Sequence, residues 1–179
     1  MKKIICLLVL ASIVCLNISC KKTQDKVDQL TEFDMNYSTD FTVPSTSVTV
    51  NVPADFTTPD IPTNSSSTFS NQKTISSKVS EIKITKFEIV STSGNFVYLK
   101  SITLFIQAAG QPEVQIASKT NIPTGLTTVS MDLSGNNIKD YIFGTSFKIR
   151  ANVTIDGAIA SNQTMKLNQT LHVRATLVN

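Results

Sequence analysis

Few side chains in this sequence could do chemistry, and their placement sorts them. There are three cysteines and one histidine among 179 residues. Cys6 and Cys15 lie in an apolar run over residues 4–16, behind Lys2 and Lys3, and Cys20 stands just past it. A positive start, an apolar stretch short for a bilayer span and a small residue before a cut mark an exported leader. Ser19 supplies that small residue directly before Cys20, whereas Val14 precedes Cys15 and Ile5 precedes Cys6. Cys20 is thus the thiol placed at a cleavage junction. No cysteine follows it, which excludes a disulfide, a thiolate nucleophile or a cysteine-ligated metal in the rest of the chain.

The stretch Leu16-Asn17-Ile18-Ser19-Cys20-Lys21-Lys22 resembles the lipobox of bacterial lipoproteins, with Asn17 where Leu is commonest. The resemblance implies a signal peptide over residues 1–19, removed once the Cys20 thiol carries a diacylglycerol. Cys20 then becomes an acylated N-terminus. One acyl chain holds a protein at a membrane only marginally, and two or more retain it. Lys21 and Lys22 follow as membrane-proximal cations that can sit against anionic headgroups. They also stand where an Asp would retain a Gram-negative lipoprotein at the inner membrane. The implied address is therefore the outer membrane, on its periplasmic face or at the cell surface. Residues 20–30, polar and free of Gly and Pro, read as a tether.

The remaining candidates are weaker. His172 falls in the polar parity of a terminal strand, with Lys166, Asn168, Thr170 and Arg174. A single histidine cannot build a multi-histidine metal site, and no Gly-x-Ser-x-Gly elbow supports a triad. The series Asp132, Ser134, Asn136 and Asp140 spaces oxygen side chains like a calcium loop. It has Asn137 where the loop needs glycine and Phe143 where it needs a bidentate glutamate. Glu81, Glu88, Glu113 and Asp132 are the carboxylates that a dispersed glycosidase pair would draw on, and no motif elevates them. No cofactor or metal is expected. Asn-Gln-Thr occurs at 162–164 and 168–170, a spacing of six that presents both copies to one side of a strand.

The elements that must position these residues read as strands. The composition is 41% hydrophobic, 16% charged and without tryptophan, the rest being rich in Ser, Thr and Asn. Without Lys2 and Lys3, 14 basic residues face 13 acidic ones, and a net charge of +1 gives no footprint for nucleic acid. Odd positions from Phe33 to Val43 alternate as a half-buried strand ended by Pro44, and Val48, Val50 and Val52 repeat the pattern until Pro53. Residues 53–68 read as a Pro/Ser-rich loop. Residues 80–90 change parity and require a bulge at Thr85-Lys86. Strands follow over 96–107, at Val114 and Ile116, and at Val129, Met131 and Leu133. A helical turn near 137–143 is capped by Asn137, with Asp140 in the capping-box position. Two long alternations close the chain, Phe147 to Ile155 and Met165 to Leu177. Asp156-Gly157 between them predicts a hairpin pairing Ile149 with Met165 and Phe147 with Leu167.

The pattern predicts an all-β fold, an antiparallel β-sandwich of immunoglobulin-like or related topology in one domain over 31–179, with a β-barrel as the alternative. Residues 80–179 resemble the small, Ser/Thr-rich β-sandwich lipoproteins of Bacteroidota. The likeness is carried by residues 96–106, Asn121-Ile122-Pro123 and the terminal alternations, and it implies no activity. The expectation is a lipid-anchored, non-enzymatic envelope module that binds a ligand or partner, an envelope protein or a glycan. The alternatives are a structural or assembly accessory of an envelope complex and a glycan-acting hydrolase with dispersed carboxylates.

Overall fold

A computed structural model describes residues 30–45 and 52–178. Two antiparallel sheets pack face to face. One holds β1 (Leu30–Val43), β10 (Gln163–Thr176), β4 (Val79–Ser91) and β7 (Thr128–Ser130), in that order. The other runs β2 (Val52–Thr57), β9 (Ser146–Ile155), β5 (Leu99–Gln107), β6 (Val114–Lys119) and β8 (Asp132–Leu133), with β3 (Ile61–Pro62) also on β9. No ladder joins the two sheets among the described residues, so the fold is a sandwich and the barrel alternative is set aside.

The core follows from strand parity. Odd residues of β9 and β10 point inward, so Phe147, Ile149, Val153, Leu167, Leu171 and Val173 are buried. They meet Ile82, Ile89, Ile102, Leu104 and Ile106 from the neighbouring strands. Burying each such side chain contributes roughly 1.5–3 kcal/mol. β4 keeps its inward face through a bulge. Thr170 pairs with Lys86 and Leu171 with Ile84, which leaves Thr85 as the extra residue and lets both Ile84 and Phe87 turn inward.

The expected terminal hairpin does not form, because β9 and β10 lie in different sheets. Ile149 is opposite Ile106, and Met165 is opposite Ser91. Both strands have each edge occupied, β9 by β2 and β5, β10 by β1 and β4. Their apolar faces therefore meet across the sandwich, not side by side. Asp156-Gly157 begins a crossover between layers, with Gly157 at φ 103.

The stretch 53–68 is also more structured than a loop. Pro53 lies within β2, opposite Thr154, because an edge strand leaves one side without ladder bonds. Thr58 ends that strand, and its hydroxyl accepts the Ile149 N–H at 3.0 Å in place of a carbonyl. Helix α1 (Ser65–Asn71) follows, against the weak helix propensity of its serines. Ser67 and Thr68 donate their hydroxyls to the Asn64 carbonyl, and Phe69, 2% exposed, anchors the helix in the core. Helix α2 (Lys139–Ile142) sits inside the predicted turn. Its N-cap is Ile138, without a side-chain cap bond, so the expected Asn137–Asp140 capping box does not form; Asn137, one residue earlier, accepts the Lys139 N–H at 3.2 Å. Its side chain also accepts the Ile82 N–H and donates to the Ser80 carbonyl, which ties the helix to β4.

Candidate functional site

Ser19, Cys20, Lys21 and Lys22 lie outside the described residues, as do Val48 and Val50. What can be built from the structure is the surface of the body. On the outer face of the first sheet, even-numbered residues of β1 and β10 form a ladder. Arg174 Nε donates to Glu32 at 2.8 Å, and His172 Nδ1 meets Asp34 at 2.9 Å. Thr170 Oγ1 donates to Asn36 and Ser38 Oγ to Asn168, each at 2.8 Å. The contacts step two residues back on β1 as they step two forward on β10, which sets the strands antiparallel. His172 therefore sits in the solvent-facing parity read from the sequence. The second copy of Asn-Gln-Thr supplies two rungs of the ladder, through Asn168 and Thr170.

β4 extends this face with charge. Glu81 pairs with Lys83 and, at 3.6 Å, with Arg174, and Glu88 pairs with Lys86 at 3.0 Å. Hydrogen bonds from Arg174 and Lys83 hold the Glu32 and Glu81 carboxyls below the usual range.

The second sheet carries a cluster that the sequence did not signal. Arg150 lies 4.2 Å over the Phe105 ring and bonds both Asp55 and Glu113, the latter at 2.9 Å through Nε. Asn152 also donates to Asp55, and Gln107 to Glu113. The Asp55 carboxyl is lowered chiefly by Asn152 and then by Arg150, and Glu113 chiefly by Arg150. These residues come from β2, β5, β9 and the approach to β6. Only the strand order brings them together.

A cleft of about 530 Å³ opens at one end of the sandwich. Asp60, Gln107, Asp140, Phe143 and Lys148 line it, with buried Phe147 beneath. Lys148 lies 3.8 Å from Asp60. The lining mixes both charges with an aromatic edge.

The oxygens spaced like a calcium loop diverge. Asp132 pairs with Lys119 at 2.9 Å, Asn136 donates to the Gln115 carbonyl, and Ser134 accepts the Asn136 N–H. Among the described residues no three His, Cys, Asp or Glu side chains gather to hold a metal. No helix among them is long and apolar enough to cross a membrane.

No protein-family profile matches the chain, and no curated protein does. Solved structures with a related arrangement include three viral proteins. The capsid protein of BFDV, from a 60-mer, matches at 9% identity and TM-score 0.43, over 85% of this chain and 97% of that one. Mud crab tombus-like virus matches at 7% and 0.39, over 85% and 84%. The VP2 subviral particle of infectious bursal disease virus matches at 11% and 0.35, over 83% and 33%. At such identities and scores these likenesses carry no argument about this chain, and the fold rests on its own strand order.

Proposed function

We propose that this chain is a lipid-anchored cell-envelope protein whose β-sandwich is a non-enzymatic partner-binding module. The observation that carries the reading is the Ser19-Cys20 junction, at the end of a leader-like apolar run and with no later thiol in the chain. Acylation of Cys20 places the body at the outer membrane, with Lys21 and Lys22 against the headgroups and residues 20–30 as the leash.

Two features of the body support binding over catalysis. The four carboxylates singled out in the sequence for a dispersed pair are engaged in ion pairs: Glu81 with Lys83, Glu88 with Lys86, Glu113 with Arg150 and Asp132 with Lys119. Glu81 and Glu113 are held below their ordinary range, whereas a general acid needs its carboxyl raised. The inter-sheet space is filled by core side chains, so ligands must meet the outer faces, ends or edges.

The test is crosslinking and pull-down from intact envelopes, together with protease treatment of whole cells. Recovery of a discrete partner by the wild type, and not by a Cys20→Ala variant, is the expected result. Equal recovery by both, or none by either, would overturn the reading.

A further inference from the structure

Edge strands present unpaired N–H and C=O groups, and soluble proteins blunt them with prolines, lysines, bulges or short length. Three of the four sheet edges here follow that rule. β7 is three residues long and β8 two. The β2–β3 edge carries Pro53 and Pro62 and is interrupted by Pro59. The fourth edge is long and unbroken, blunted only by acidic side chains and by residues 63–68 beside part of it. β1 is 14 residues, about 48 Å of extended chain at 3.4 Å per residue, and contains no Pro, Gly, Lys or Arg.

β1 is also held firmly in place. Its own Met35, Phe41 and Val43 are buried. Phe33, Tyr37 and Phe41 make edge-to-face contacts with Phe69, Phe147 and Phe56. Its β10 side is paired, and among the described residues no strand lies on the other side. A groove of about 240 Å³ runs there, lined by Asp34, Met35, Asn36 and Tyr37 and faced by Asn64 and Thr68. Consecutive strand residues point to opposite faces, so a groove touched by four of them in a row lies along the backbone edge.

We infer that the outer edge of β1 is a strand-addition site for an extended segment of a partner polypeptide with basic residues at alternate positions. The inference rests on the partner-binding reading above and specifies its surface. Strand addition draws affinity from main-chain hydrogen bonds and selectivity from alternate side chains. The solvent-facing side chains of β1 include Glu32, Asp34 and Asp40, and the strand has no base; Glu32 and Asp34 already face Arg174 and His172 of β10. Asp40, by contrast, has no ion-pair partner among the described residues. A second copy of β1 would bring another acidic strand and no base to meet Asp40. A strand with Lys or Arg at every second position would meet Asp40 with opposite charge.

The test uses the full chain in detergent and a synthetic nine-residue peptide alternating Lys with Val or Thr. Hydrogen exchange of the β1 amides and peptide affinity are the readouts. The expected result is saturable binding, with protection gained in β1 and not in β7 or β8. An otherwise identical peptide N-methylated on alternate residues, which keeps the charge and loses the ladder, should bind at least tenfold more weakly. Asp40→Lys should weaken the unmodified peptide about fivefold, the effect of making one attractive cross-strand pair repulsive. Equal binding of both peptides would overturn strand addition. β1 amides already protected without peptide would assign the edge to the chain's own remaining residues if the protein is monomeric, or to a second copy if protection rises with concentration. Either outcome would overturn the basic-partner proposal while leaving the lipid anchor and the envelope pull-down untouched.

Discussion

Replacing Gln169 by methionine should make this protein more stable. Gln169 is 3% exposed, on the inward face of β10 opposite Phe87, with Leu167 and Leu171 on either side of it. Neither its amide oxygen nor its nitrogen has a hydrogen-bond partner among the described residues. A buried polar group without a partner costs about 1–3 kcal/mol. Methionine keeps the length and flexibility of the side chain without the amide, so it leaves no large cavity and forces no overpacking. The expected gain is about 1–3 kcal/mol, or about 2–12 °C in melting temperature for a chain of this size. Urea unfolding with an unchanged slope separates a gain in stability from a change in the unfolded state. Gln169→Ala is the contrast, since it removes the amide but opens a cavity and should lose most of the gain. A loss of 1 kcal/mol or more in Gln169→Met would refute the reasoning. It would mean that the amide is satisfied in the folded protein.

Two further perturbations test the surface clusters. Arg150→Ala removes the contact with Phe105 and both carboxylate partners, and should cost about 1 kcal/mol at neutral pH by chemical denaturation. Asp55 and Glu113 have lowered folded pKa values. Their contribution is therefore complete above the unfolded pKa, about 4–4.5, and is lost as pH falls through the folded values. Stability measured from pH 6 to pH 2 should fall less steeply in Arg150→Ala than in the wild type. Asn137→Ala deletes bonds to Ile82, Ser80 and Lys139 and should cost about 1–2 kcal/mol, with faster amide exchange at Ile82 as the local sign.

The sequence disclosed the fold wherever one face of a strand is buried. Period-two alternation placed β1, β9 and β10, and the parity break in residues 80–90 placed the bulge at Thr85. It could not disclose which layer each strand joins. Alternation states that Ile149 and Met165 both face a core and is silent on whether they are neighbours in one sheet or facing residues of two. Asp-Gly favours a tight turn, and here it serves a crossover instead. α1 was hidden because Ser-Ser-Ser-Thr is weak helix material, and burial of Phe69 decides the matter. The Arg150 cluster was invisible for a different reason. Asp55 and Glu113 lie 95 and 37 residues from Arg150, and only the pairing of β2, β9 and β5 brings such distant residues together.

Gln169 follows from the same limit. The tripeptide Asn-Gln-Thr puts polar side chains in both parities, so placing Asn168 and Thr170 on the outer ladder turns a glutamine inward. The stability experiment therefore asks whether the outer face constrains β10 at the expense of the core.

The lipid anchor is tested most directly by labelling. Cells expressing the wild type or Cys20→Ala are grown with a labelled fatty acid, and membrane and soluble fractions are compared. The account predicts label in the wild type only, and release of Cys20→Ala from the membrane fraction. A wild type without label, or a Cys20→Ala protein that stays membrane-bound and labelled, would contradict it.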